Sequence, residues 1–176
     1  MAEPFQVNLH LKDVGKTFEY FTEVLGFTPE FRVRGDAGKT VFAGVLWGPR
    51  GQGGRVILGD IHEALHGHYD HGDFGKQMEE HPLGTGVVLY FHTRGVDKLH
   101  ERIVARGAMI DEPPTDQFWG ERTISVLTPE GYYVSFAEPI RGFKFPPGFE
   151  ARLEQFAPQP GARRKIRGAR RAKRRR

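Results

Sequence analysis

The sequence of 176 residues contains no cysteine. Disulfide bonds, thiolate nucleophiles and cysteine-ligated zinc are therefore excluded, because each of them requires a thiol. Any bound metal would have to use histidine, aspartate, glutamate or glutamine side chains.

Long apolar runs are also lacking, since no stretch approaches the ~20 residues that span a bilayer. The first residues, MAEPFQVNLHLKDV, lack the basic start and the apolar centre of a signal peptide. We therefore expect a cytoplasmic location and no contact with a membrane. The hydrophobic content of 38% is typical of a globular protein, and a chain of this length can bury a substantial core.

Acidic residues are absent from the last segment, GARRKIRGARRAKRRR, which carries ten Lys and Arg residues. The remaining chain holds 16 basic and 22 acidic residues, so the net charge of +4 hides an acidic body. The preceding APQPGA predicts a flexible linker, followed by a flexible basic tail over residues 161–176. Such a tail can neutralise nucleic-acid phosphates without reading bases, since it has no aromatic residue for stacking. The candidate nucleic-acid contacts are Arg163, Arg164, Lys165, Arg167, Arg170, Arg171, Lys173, Arg174, Arg175 and Arg176.

Two parts of the chain show the same order of predicted elements. FQVNLHLKDV alternates like a half-buried strand, and GKTFEYFTEVLGF has apolar residues at helical spacing before a terminating Gly26. Three strand-like runs follow, TPEFRVRG, TVFAGVLWG and GRVILGD. The second part repeats this order in TGVVLYFHT, GVDKLHERIVARG, AMIDEPP, ERTISVLT and GYYVSFAEP. An offset of 82 residues aligns Val14 with Val96 and His10 with His92, which indicates an internal duplication.

The chain resembles the glyoxalase/bleomycin resistance protein/dioxygenase family, the vicinal oxygen chelate superfamily. The resemblance rests on the duplicated order of elements, on LKDVGKTFEYFTEVLGF in the first part and on the WG…TPEGY hairpin in the second. The resemblance covers residues 5–139 and implies an α+β fold of two tandem βαβββ modules. These modules would form a cupped mixed sheet with the helices on its outer face, in a homodimer. We predict modules at residues 1–60 and 84–139, a histidine-rich loop at 61–83 and a C-terminal extension at 140–160 before the tail.

Metal-dependent members of this family bind one divalent ion with four side chains, from the first and last strands of each module. The resemblance places these positions at Gln6, Leu58, Val88 and Ser135. Only Gln6 is a suitable ligand, because Leu and Val offer no lone pair and a hydroxyl replaces a carboxylate poorly. We therefore expect a metal-independent, bleomycin-resistance-like protein with no cofactor.

Strand alternation predicts that both polar and apolar side chains line the concave face of the sheet. Tyr133 and Thr123 are expected on this face together with the candidate residues named below. Apolar walls with a few convergent polar groups are typical of a small-molecule pocket. The two tryptophans lie at strand ends and could stack on a ligand, with core packing as the alternative. For His10 and His92 the alternative is hydrogen bonding within the core or a dimer contact. The candidate ligand-binding residues are Gln6, Asn8, His10, Trp47, Tyr90, His92, Trp119 and Ser135.

Residues 62–66, HEALH, match the H-E-x-x-H pattern of zinc hydrolases. The motif falls in the connection between the modules rather than in a long core helix, so we favour a polar loop over the pocket or at a subunit contact. A structural or adventitious metal is the alternative. Its candidate ligands are His62, His66, His68 and His71, with Asp60 and Asp70.

Three hypotheses result. The leading one is a protein that binds a small cationic or aromatic compound in a cleft between the modules without a catalytic metal, since an acidic body attracts cations. The second is a metal-dependent lyase, isomerase or dioxygenase of the same superfamily, using Gln6 with His10 and His92. The third is a nucleic-acid-associated protein that acts through its arginine-rich tail. Whether the protein is an enzyme stays open at this point.

Overall fold

The computed structural model describes residues 6–48, 54–61, 83–145 and 147–148. The chain divides into two compact units, Met1–Lys144 and Phe145–Arg176. The predicted histidine cluster (His62, His66, His68 and His71) and the basic tail lie outside the described residues. No helix in the described part of the chain is long and apolar enough to cross a membrane.

The first module has the predicted order of one strand, one helix and three strands. It consists of β1 (Gln6–Leu11), α1 (Val14–Glu19) with a π-helical continuation (Tyr20–Leu25), β2 (Thr28–Arg34), β3 (Thr40–Trp47) and β4 (Gly54–Asp60). Helix α1 begins after Asp13, whose carboxylate accepts a hydrogen bond of 2.9 Å from the backbone N–H of Lys16. The helical segment ends as predicted at Gly26, where φ is 85°. Glycine adopts this left-handed conformation without the steric cost of a Cβ atom.

The second module repeats this order. It consists of β5 (Val88–His92), α2 (Val96–Val104), β6 (Met109–Asp116), β7 (Glu121–Leu127) and β8 (Tyr133–Pro139). The carboxylate of Glu138 accepts hydrogen bonds from the backbone N–H groups of Gly95 (2.7 Å) and Val96 (2.9 Å). These groups lie at the start of α2, where backbone N–H groups have no intrahelical partner, and Glu138 supplies the acceptor instead. The predicted turn between β7 and β8 is closed by a 3.0 Å hydrogen bond from the Gly131 N–H to the Thr128 carbonyl.

The described strands form two four-stranded mixed sheets with the same topology. The orders are β1-β4-β3-β2 and β5-β8-β7-β6. β1 pairs with β4 and β5 pairs with β8 in parallel, and the other neighbours are antiparallel. The prediction of an α+β fold made of two βαβββ modules is thus confirmed.

One face of each sheet packs into a core that both modules share. Trp47 of β3 lies 4.7 Å from Phe136 of β8 between ring centroids, and Phe27 lies 5.1 Å from Phe91 of β5. Burying an aromatic side chain of this kind contributes roughly 1.5–3 kcal/mol. Polar contacts join the modules too, since the Tyr20 hydroxyl donates to the carbonyl of Leu127 at 3.1 Å. The inward face of each sheet is thus largely filled by this packing.

Candidate functional site

The strand register determines which side chains lie on the face of each sheet that points away from the shared core, here called the open face. In the first sheet Gln6, Asn8 and His10 pair with Arg55, Ile57 and Gly59, respectively. In the second sheet Tyr90 pairs with Ser135 and His92 with Ala137. Since side chains alternate along a strand, the members of each pair share a face. The open-face candidates are Gln6, Asn8, His10, Tyr90, His92 and Ser135.

The two tryptophans occupy different environments. Trp47 is 7% exposed, packs in the shared core and donates a 3.1 Å hydrogen bond from Nε1 to the carbonyl of His92. Trp119 is 41% exposed in the turn before β7, and its Nε1 donates to Oε2 of Glu121 at 2.9 Å. Trp119 is therefore accessible beside the open face of the second sheet, whereas Trp47 is a core residue.

Glu121 is a central residue of the second open face that the sequence analysis missed. Its Oε2 atom accepts a 2.5 Å hydrogen bond from the Tyr90 hydroxyl as well as the one from Trp119. Its Oε1 atom lies 3.6 Å from Nδ1 of His92. The available signal was its spacing of two residues from Thr123, which puts both side chains on one face.

The hydroxyl of Tyr90 keeps its proton at neutral pH. Burial, reinforced by the neighbouring carboxylate of Glu121, raises the pKa of Tyr90 to about 12. Tyr90 is therefore a hydrogen-bond donor that orients the carboxylate under ordinary conditions. His10, on the open face of the first sheet, has its pKa lowered by burial, which favours the neutral imidazole.

The second sheet carries further polar side chains, which contact one another. The hydroxyl oxygens of Ser125 and Ser135 are 2.8 Å apart, and Nε2 of Gln117 donates to the hydroxyl of Thr123 at 2.9 Å. The same Gln117 nitrogen lies 3.2 Å from Oε1 of Glu112. The open face of the second sheet is thus polar and carries acidic groups.

The open face of the first sheet has a different chemistry. A β-bulge between Pro29 and Phe31 brings Glu30 and Phe31 to the same side of β2. The Phe31 ring covers Gly44 and lies 5.4 Å from the ring of Phe42. The guanidinium of Arg55 forms two hydrogen bonds with the carboxylate of Glu30, at 2.7 and 2.9 Å. This face combines aromatic surface with an ion pair whose charges balance.

A cavity of about 350 Å³ lies where the two modules meet. Its volume is within the range of roughly 300–1,000 Å³ that is usual for small-molecule pockets. Both modules contribute to its mainly apolar lining, which consists of Val7, Gly54, Arg55, Val87, Val88, Leu89, Tyr90 and Phe91.

The side chains at the family's metal positions do not fit a divalent ion. Leu58 is fully buried and faces the core, which corrects its proposed place in the site. The open-face residues of β4 next to Gln6 and Asn8 are instead Arg55 and Ile57. The amide oxygen of Gln6 already accepts a 3.1 Å hydrogen bond from Arg55, and its nitrogen donates to Asn8 at 2.8 Å.

At this position the Arg55 guanidinium, which is itself paired with Glu30, already contacts the one atom of Gln6 that could bind a metal ion. In the second sheet, Val88 and Ser135 provide no carboxylate or imidazole at the corresponding positions. Across the residues that the structure describes, no three His, Asp or Glu side chains converge on a point that could hold a metal ion.

Comparisons with known proteins agree with the fold. Residues 5–136 match the sequence model of the Glyoxalase/Bleomycin resistance protein/Dioxygenase superfamily. A glyoxalase/bleomycin resistance protein/dioxygenase from Nocardioides is 25% identical with a TM-score of 0.59, over 82% of this chain and 89% of that chain. A superfamily member from Sphaerobacter thermophilus is 24% identical with a TM-score of 0.55, over 78% and 98%. TnmS3, an antibiotic binding protein from Streptomyces sp. CB03234, is 20% identical with a TM-score of 0.53, over 79% and 97%. No curated protein matches the chain significantly.

Proposed function

Because the chain belongs to the glyoxalase/bleomycin resistance protein/dioxygenase superfamily, we propose that it binds a small aromatic compound in the cleft between its modules, without a catalytic metal. The observation that carries this proposal is the chemistry of the metal positions, where Arg55 contacts the amide oxygen of Gln6 at 3.1 Å. The metal-dependent reactions of the superfamily need a Lewis acid to polarise the substrate. A guanidinium that is already paired with Glu30 is a poor replacement for one.

Exposed aromatic side chains support an aromatic ligand, since Tyr90 lines the cavity and is linked to Trp119 through hydrogen bonds to Glu121. Tyr90 and Trp119 are each 41% exposed and present their rings beside the open face of the second sheet, and Phe118 next to them is 63% exposed. Aromatic side chains contribute large contact area together with geometric preference in stacking. TnmS3, which shares the fold, is described as an antibiotic binding protein. The fold is therefore able to serve ligand binding.

We further propose that the working form is a homodimer. The open faces leave apolar side chains in solvent, with Val88 57% exposed, Val33 46% and Phe42 39%. A second copy would cover this surface and would narrow the cleft around a ligand. Light scattering after gel filtration should give twice the mass of the chain across a tenfold range of concentration, and a monomer mass at every concentration would contradict the proposal.

Binding and metal content test the main proposal together. Purified untagged protein is treated with EDTA, analysed for metals, and screened by thermal shift against a panel of aromatic antibiotics and dyes, with titration calorimetry of each compound that raises the melting temperature. We expect at least one compound to bind with the same dissociation constant before and after EDTA treatment. A stoichiometric metal ion together with binding that EDTA abolishes would overturn the proposal, and so would a panel without any binder.

A further inference from the structure

The two open faces differ in how their charges are balanced. In the first sheet, the guanidinium of Arg55 is paired with the carboxylate of Glu30 through two hydrogen bonds. In the second sheet, the hydrogen bonds that Glu121 accepts from described residues come only from neutral donors, the Tyr90 hydroxyl and the Trp119 indole. Within the described residues, no Lys or Arg lies within ion-pair distance of Glu121, and its nearest basic group is His92 at 3.6 Å. Its negative charge is therefore available to a ligand.

The described neighbours of this carboxylate leave one of its sides open. Both neutral donors bind Oε2, whereas Oε1 faces His92 at a distance longer than a hydrogen bond. The Glu121 side chain is 20% exposed and that of His92 is 70% exposed, so solvent reaches this corner. A carboxylate oxygen has two lone pairs, and no strong donor in the described part of the chain uses those of Oε1.

Aromatic rings stand beside the same atom. Tyr90 and Trp119 are held against the carboxylate by their own hydrogen bonds, and Phe118 packs on Trp119 with 5.0 Å between ring centroids. The faces of aromatic rings attract cations, most strongly where water is partly excluded. A carboxylate lined by such rings matches a protonated nitrogen, which gains a charge-assisted hydrogen bond and contact with the rings at once.

We propose that Glu121, with the rings of Tyr90 and Trp119, binds the positively charged nitrogen of the ligand. The ligand class is then an aromatic compound that carries a protonated amine or a guanidine. This inference rests on the proposed function and names the group that the site recognises. A metal ion is a poorer match, because one carboxylate and one imidazole are fewer ligands than a divalent ion requires.

A matched pair of probes tests this assignment. 2-Naphthylmethylammonium and 2-naphthylmethanol share one ring system and differ in charge, and their dissociation constants are measured by NMR titration of the full chain. We expect the ammonium to bind about tenfold more tightly, as for a charge-assisted hydrogen bond. In Glu121→Gln the two constants should agree within about twofold, because the amide oxygen still accepts from Tyr90 and Trp119 but carries no charge. The alcohol should bind this variant as it binds the wild type.

Glu101→Gln is the matched control. Glu101 is an exposed residue of α2, so this substitution changes the net charge by the same amount away from the open face. Its preference for the ammonium should equal that of the wild type. If both variants lost the preference for the ammonium equally, the preference would come from the long-range electrostatic field of the protein rather than from a site at Glu121. That result would overturn the inference.

The remaining outcomes are also decisive. Equal binding of the two probes to the wild type would refute the role of Glu121 and leave the proposed function standing, because the aromatic part would still bind. Absence of binding by both probes would refute the role of Glu121 too, whereas the proposed function is judged separately by the compound panel. Urea unfolding of Glu121→Gln should give the wild-type midpoint, which shows that a changed affinity does not arise from misfolding.

Discussion

The two tryptophans should respond in opposite ways to the same substitution, since one lies in the core and the other beside the site. Trp47→Phe is expected to lower stability and to leave ligand binding intact. Trp119→Phe is expected to lower ligand affinity and to leave stability intact. The pair therefore separates packing from recognition with one kind of chemical change.

The cost of Trp47→Phe follows from its contacts. The indole packs against Phe27 and Phe136, with ring centroids 4.8 and 4.7 Å away, and its N–H donates to the buried side of β5 at the His92 carbonyl. Phenylalanine removes that hydrogen bond and leaves a cavity, so the free energy of unfolding should fall by about 2–4 kcal/mol. At roughly 2–4 °C per kcal/mol for a chain of this size, the melting temperature should fall by roughly 4–16 °C.

The cost of Trp119→Phe should appear in binding instead. The side chain is 41% exposed, and exposed substitutions usually change the free energy of unfolding by about 0.5 kcal/mol or less. The ring that replaces the indole is smaller and attracts cations less strongly. Affinity for 2-naphthylmethylammonium should fall about threefold to tenfold, equivalent to roughly 0.6–1.4 kcal/mol.

Fluorescence and calorimetry measure both effects. Each variant keeps a single indole, so acrylamide should quench the emission of Trp47→Phe efficiently and that of Trp119→Phe poorly. Thermal unfolding gives the stability change and titration gives the dissociation constant. Loss of binding in Trp47→Phe at unchanged stability would refute the placement of the site on the open face. A core-like loss of stability in Trp119→Phe would do the same.

Three other predictions concern the first module. In urea titrations, Gly44→Ala should lower the free energy of unfolding by about 1–3 kcal/mol, because the added methyl group would overlap the Phe31 ring. Gly15→Ala in α1 has room for the methyl group and should be neutral or stabilising by up to about 1 kcal/mol. A double-mutant cycle of Arg55→Met and Glu30→Gln should give a coupling of about 1 kcal/mol or less, since the pair is partly exposed. Burial lowers the pKa of His10 below 6.5, so its contribution to stability is present above pH 6.5 and is lost as the pH falls. Between pH 7 and pH 5 the urea midpoint of His10→Asn should therefore drop less than that of the wild type. Equal pH dependence of the two proteins would exclude His10 as the cause.

The fold could be read from the sequence because its signals are periodic and local. Alternation in FQVNLHLKDV and the helical spacing before Gly26 each specify an element without reference to the rest of the chain. The repeat of five elements at an offset of 82 residues then fixed the module architecture. The switch to a π-helix at Tyr20 was not predicted, since the side-chain pattern of a helix hardly changes when one turn widens.

The site was harder to predict because it depends on register across strands. A one-residue error put Leu58 on the open face, and the pairing of Leu9 with Leu58 shows that Arg55 and Ile57 lie there instead. The role of Glu121 depends on Tyr90, which is 31 residues away in the sequence, and no local pattern reports such a contact. Which of the two tryptophans is buried was likewise a question of tertiary packing.

If the proposed site is correct, the balance of charge rather than the number of charged residues should decide where a ligand gains affinity. Arg55 and Glu30 satisfy each other, so a ligand that displaced either one would lose about as much as it gained. The carboxylate of Glu121 has neutral partners, and an incoming cation replaces water rather than an existing ion pair. The two modules thus present faces that differ in charge balance, with an ion pair on the first and a carboxylate with neutral hydrogen-bond donors on the second. A substitution at Arg55 should consequently change ligand affinity less than Glu121→Gln does, which calorimetric titration of the two variants with 2-naphthylmethylammonium measures directly.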